Sequence, residues 1–186
     1  MCWRYLVTAL LATAIAACGD DSGRSSEVLS PDDLPPGDMT FGVEHVMTRK
    51  GVRTAILQAD TAIQQENGRQ WDLRGVYIQF FTETGAESGT LTSKAGEYTP
   101  DDGSFIARDD VVLITQSENG VRRLETEELH YDVRSEEIWS DSAWVLNEGG
   151  SVSRGTSFRS DVNGENWRAV GVETENISTG GGEITF

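Results

Sequence analysis

Leu91–Leu113 reads LTSKAGEYTPDDGSFIARDDVVL, and the chain then says it again. One unit later comes Leu124–Leu146, LETEELHYDVRSEEIWSDSAWVL, and one unit earlier Leu57–Ile78, LQADTAIQQENGRQWDLRGVYI. In each unit a Leu, a polar residue and a small residue lead to an aromatic or apolar position. An acidic or Gly-bearing turn follows, then another large apolar residue, then a run of apolar alternation. Leu57, Leu91 and Leu124 stand 34 and 33 residues apart. A shorter fourth copy covers Thr156–Val172, with Phe158, Trp167, Val170 and Val172. A period in this range marks stacked supersecondary units that bury one continuous core.

The units read as β. From Met39 onward, Phe41, Val43 and Val46 make a first strand, and Lys50-Gly51 gives a turn. In Val76–Phe81, residues Val76, Ile78 and Phe80 take one face and Tyr77, Gln79 and Phe81 the other. Val111–Thr115 and Ala143–Leu146 occupy the same place in later units. Trp71, Trp139, Trp144 and Trp167 fall within the array and read as core residues. No stretch after the N-terminal segment has a helical pattern.

Each unit also breaks parity once. Leu124 and Thr126 share a face, but Leu129, Tyr131 and Val133 follow the other count; Leu91, Ser93 and Ala95 give way to Gly96 and Tyr98, and Leu57 and Ala59 to Ala62. A period of two that slips at one place in every unit predicts a repeated bulge or bend. Such a bend curls the sheet into a trough or flattened barrel. Turn signals at Glu66-Asn67-Gly68, Asp101-Asp102-Gly103, Glu118-Asn119-Gly120, Gly149-Gly150 and Asn163-Gly164 separate the strands. The last strand is expected over Val170–Ser178, with an open edge at Val170, Val172 and Thr174. Either the tail, through Ile184 and Phe186, or a partner strand would cover it.

The 186 residues carry 15 Lys+Arg against 31 Asp+Glu, a formal charge of −16. That excludes a nucleic-acid binder, which needs a basic face. The two cysteines, Cys2 and Cys18, precede the β region, so no disulfide framework or cysteine metal site is available. Residues 1–17 read as a signal: Arg4 is the positive region, and Tyr5–Ile15 is an apolar stretch too short for a bilayer core of about 30 Å. Ile15-Ala16-Ala17-Cys18 resembles the lipobox of bacterial lipoproteins, which implies cleavage before Cys18 and lipid attachment to it. An uncleaved short membrane helix is the alternative. Residues 18–38, rich in Ser, Asp, Gly and Pro, form a flexible linker that reaches on the order of 50 Å if extended. The folded domain is then 39–186.

Little here suggests chemistry. Asp101-Asp102, Asp109-Asp110 and Glu125-Glu127-Glu128 offer hard oxygens, but none matches a calcium-loop spacing, and turn or solvent faces explain them. His45 and His130 are the only histidines, and His130 lies between Leu129 and Tyr131, facing outward. Ser88 and Ser157 lack a nucleophile-elbow setting. The chain is expected not to be an enzyme and to need no metal or cofactor.

An anchor, a polar linker and β units of the form L-x-[S/T/A]-x₃₋₅-Y-x₆-[F/I/W] together resemble the LptC family of lipopolysaccharide export proteins, within the LptA/OstA-like superfamily. The matching residues are Leu91-Thr92-Ser93 with Tyr98 and Phe105, and Leu124-Glu125-Thr126 with Tyr131 and Ile138. The resemblance covers roughly Phe41–Val172. Familiar members keep an uncleaved membrane helix where this chain has its lipobox. The resemblance implies an all-β, antiparallel β-jellyroll with a V-shaped apolar interior. It also implies a place at the periplasmic face of the inner membrane, the outer membrane being the other possible site of the anchor. There the protein would receive lipopolysaccharide from an inner-membrane ABC transporter (LptB/LptF/LptG-like) and pass it to an LptA-like bridge, joined edge to edge. The expected lipid-binding groove comprises Val76, Ile78, Phe80, Leu91, Phe105, Val111, Leu113, Leu124, Ile138 and Val145. Both lipid and protein are anionic, so binding would rest on acyl burial, at about 0.8 kcal/mol per CH₂. The competing reading is a structural lipoprotein that docks partners by its sheet edges and fills its interior with its own side chains.

Overall fold

The computed structural model describes residues 37–65, 68–117, 119–164 and 166–176. Cys18, the signal, most of the linker and the tail with Ile184 and Phe186 lie outside them. All regular structure in the described residues is β-strand. The elements are β1 (Asp38–Arg49), β2 (Val52–Gln64), β3 (Trp71–Phe81), β4 (Glu87–Thr99), β5 (Ser104–Ser117), β6 (Gly120–Asp132), β7 (Glu137–Ser140), β8 (Trp144–Glu148), β9 (Ser151–Gly155), β10 (Ser157–Asp161), β11 (Arg168–Val170) and β12 (Glu173–Asn176). They form one 12-stranded antiparallel sheet.

The parity slip is a crease that crosses the sheet. Gly42 and Gly75 adopt positive φ (62° and 61°), as do Asp109 and Asp110 (64° and 53°) and Gly171 (66°). The pairing skips at the same line: Phe41↔Thr61 is followed by Val43↔Ala59, and Arg74↔Ala95 by Val76↔Ser93. The register shifts between Thr92 and Ala95 and between Arg108 and Val111. At Gly75 the missing side chain matters twice. An added Cβ would meet Asp60 Oδ2 at 2.0 Å, and its backbone conformation is one that L-residues disfavour.

Strands β1 to β6 run through the crease, so each contributes to two layers. After β6 the layers separate. The first half of β6 pairs with β8 and its second half with β7. The first layer continues through β9 to β12, and the second through β10 to β11. The expected single strand Val170–Ser178 is therefore corrected. Gly171 breaks it, so that Val170 pairs on β10 while Thr174 pairs with Ser153 on β9.

The two layers face each other across one core. Phe80 pairs with Ala55 and Gly89, and Tyr131 with Phe105 and Ile138, yet the two rings meet edge-on at 5.2 Å. Strands that do not pair at these positions can meet this way only across the interior. Met47, Leu57, Ile78, Leu91 and Leu124 fill it from the first layer, and Leu73, Phe105, Leu129, Ile138 and Phe158 from the second. Each such side chain contributes about 1.5–3 kcal/mol by leaving water.

Candidate functional site: the interior between the layers

Nine of the ten expected groove residues do share the interior. Val76, Ile78, Phe80, Leu91, Phe105, Val111, Leu113, Leu124 and Ile138 are all buried in one cluster. Val145 is the exception. Trp144 and Leu146 are buried instead, because Leu146 pairs with Leu124 while Val145 pairs with the outward Glu125.

Aromatic side chains close both ends of this interior. At the β1 end His45, Trp71 and Tyr98 form a triangle, with centroids 5.8, 5.1 and 6.2 Å apart, and the Tyr98 hydroxyl lies 3.1 Å from His45 Nε2. Burial lowers the His45 pKa and raises that of Tyr98. At the other end Trp167 stacks on Phe158 at 4.6 Å, and both meet Trp144 edge-on. Gly155 makes room for Trp144, since a Cβ there would lie 2.4 Å from the indole. In the middle, burial pushes the Tyr131 hydroxyl up to about 12, against a hydrogen bond with Thr54 that acts the other way. The interior is thus packed with the protein's own side chains.

The cavities lie at the rim, on the side away from the crease. One, of about 900 Å³, is open and bordered by polar residues, among them Ser88, Gln116, Asn119, Arg122, Glu148 and Asn163. Another, of about 240 Å³, runs between the layers above Phe80, Tyr131 and Val162. Arg122 Nη2 donates to both carboxylate oxygens of Glu148, at 3.0 and 3.1 Å. Burial pushes the Glu148 carboxyl up, but bonds from Ser117 and Arg122 outweigh it and hold the pKa below the usual 4.5. Glu148 therefore stabilises the fold fully above about pH 4.5, and that contribution is lost as pH falls through its lowered folded value. Thermal unfolding from pH 7 to pH 3 should show a smaller drop for Glu148→Gln than for the parent chain.

Other sequence expectations fall elsewhere. Trp139 lies on the outer face, stacked on His130 at 5.0 Å, with the Arg159 guanidinium 4.9 Å from its ring centroid. It is the one array tryptophan that does not face the interior. His130 faces outward as its alternation suggested, 2.9 Å from Glu128 Oε1. Asp109 and Asp110 serve the crease, and Lys94 pairs with Asp110. Among the described residues no group of three or more His, Cys, Asp or Glu side chains is placed to hold a metal.

Among the described residues, both ends of the sheet carry unpaired strand edges. β1 borders only β2, and its Phe41 and Val46 are 73% and 46% exposed. Among the described strands β11 borders only β10 and β12 only β9, and the nearby Val170 and Val172 are 63% and 50% exposed. The expected docking residues thus lie at the far end of the sheet from β1, with Val170 on β11, Thr174 on β12 and Val172 in the link between them.

Comparison with curated proteins gives no match. Among solved structures, the chain is similar to LptH from Pseudomonas aeruginosa, described as the LptA-homologous periplasmic component of the lipopolysaccharide transport device. The TM-score is 0.52 at 13% identity, over 65% of this chain and 93% of that one, a likeness of fold. A family model described as "Lipopolysaccharide-assembly, LptC-related" matches residues 11–168. That span includes the first three repeated units, the crease through β1 to β6 and most of both layers, and the chain belongs to the LptC family.

Proposed function

We propose that this protein is a periplasmic, non-enzymatic component of the lipopolysaccharide export bridge, anchored by lipid on Cys18 at the inner membrane. It takes lipopolysaccharide from an ABC transporter and hands it to an LptA-like protein through the space between its layers. The observation that carries this reading is a two-layered apolar interior in an LptC-family chain whose sheet, among the described residues, ends in unpaired edges on both sides. Unpaired edges suit strand addition: β1, with exposed Phe41 and Val46, at one end, and Val170, Val172 and Thr174 at the other. A row of such units joined edge to edge would make one continuous path.

The packed interior favours a second reading, a docking lipoprotein that holds no lipid. The two differ in what touches the core in cells. Photocrosslinking from Phe80, Phe105 and Ile138, and from the half-buried Trp71 and Trp167 at the ends, is expected to yield lipopolysaccharide adducts, with none from the turn residue Asp102. Adducts to proteins alone, from Phe41 and Val170, would leave the docking module as the better account.

A further inference from the structure

The layers join along the crease and make polar contacts across the opposite rim. Most ion pairs of the described residues join neighbouring strands or lie within one: Lys94–Asp110, Arg108–Glu128, Arg122–Glu148, Arg123–Glu125, Arg154–Glu175 and Arg159–Glu137. Two arginines reach further. Arg49, at the β1–β2 turn of the first layer, pairs with Glu136 in the β6–β7 turn of the second, and lies 3.5 Å from Glu83 in the β3–β4 turn. Arg122, held by Glu148 in the first layer, donates from Nη1 to the Gly164 carbonyl in the second, at 2.9 Å. These contacts flank the narrow cleft above Phe80 and Tyr131.

We infer that Arg49–Glu136 and Arg122–Gly164 are clasps that keep the two layers shut, and that releasing them opens the apolar interior to an amphiphile about the crease. This rests on the lipid-carrying reading above and supplies the step that a packed interior otherwise lacks. Three features fit a fastening made to let go. The clasping groups are polar and partly exposed at the rim, where water can replace their bonds. Each arginine keeps its Nε buried without a partner, so the closed state leaves a donor unsatisfied on each. The crease opposite is built on positive-φ residues, Gly42, Gly75 and Gly171 among them, which absorb backbone rotation.

The test measures access by a neutral apolar dye, N-phenyl-1-naphthylamine, to the full chain. Arg49→Glu sets a carboxylate against Glu136 and Glu83. Gly164→Ala places a methyl 1.9 Å from Arg122 Nη1 and pushes that clasp off. Gly150→Ala is the control. It has a similar positive φ, 82° against 78°, but nothing lies within 4 Å of its added Cβ. The double variant Arg49→Glu/Gly164→Ala is expected to bind about tenfold more dye than the parent, the scale set by losing one charge-assisted bond in a two-state equilibrium. Adding Glu136→Arg should reverse the gain from Arg49→Glu, and Gly150→Ala should bind dye as the parent does. Should the double variant lose its far-ultraviolet β signal, Arg49→Gln decides by the same readout. Unchanged dye binding in folded variants, or an equal rise with Gly150→Ala, overturns the clasp. Dye uptake that rises while core positions of the opened variant give no lipopolysaccharide crosslinks supports the clasp and instead counts against lipid carriage.

Discussion

Ile78→Asp is expected to leave no folded protein. Ile78 sits in the middle of β3, fully buried between Leu57 on one side and Leu91 on the other. A carboxylate there loses the isoleucine burial, about 1.5–3 kcal/mol. It also carries the desolvation penalty of an unpaired buried charge, on the order of several kcal/mol. A domain of this kind is stable by only about 5–15 kcal/mol in total. The neighbouring change, Tyr77→Asp, places the same charge one residue away on the outer face, where Tyr77 is 37% exposed. It should cost about 0.5 kcal/mol or little more. Far-ultraviolet circular dichroism and urea unfolding of the pair check the register of β3. Similar losses for both variants would mean that the strand does not present these faces.

Phe80→Ala should lower stability by about 3–5 kcal/mol, through lost burial and the cavity left behind. The cost is set by the opposite layer, since the Phe80 ring meets Tyr131 edge-on. A double-mutant cycle with Tyr131→Leu should show a coupling of about 0.5–1.5 kcal/mol, the scale of an aromatic pair beyond its buried area. Additive losses would indicate that the layers do not touch there. Of the core positions, this one also lies just beneath the rim cleft, so its truncation should increase dye access even with the clasps intact.

The repeat made most of this architecture legible. Leu57, Leu91 and Leu124 fall on equivalent inner positions of β2, β4 and β6, and each is buried. The slip after Ser93 and Thr126 marks the crease, because a period of two that shifts by one residue must move the chain to its other face unless the backbone bends. Val145 misled for a local reason. Ala143, Trp144, Val145 and Leu146 are all apolar, so alternation carries no signal there, and pairing with β6 chose the face. The last strand misled because alternation runs unbroken past Gly171, where a left-handed backbone takes the chain from one layer to the other. Trp139 read as core with the other array tryptophans, although alternation with the inward Ile138 already places it on the outer face. Its stack with His130 and Arg159 needs β6, β7 and β10 side by side.

What the sequence alone determined is the repeated, bent β-strand and which of its positions turn inward. Those depend on spacing along the chain, where a side chain's face follows from counting. The tertiary structure alone decided that the interior is filled by its own aromatic side chains, and that the layers part after β6. It also decided that Arg49 meets Glu136 and Arg122 meets Gly164 across the rim. Such contacts join residues 87 and 42 positions apart. No local pattern encodes them, because they exist only once two bent layers close upon each other.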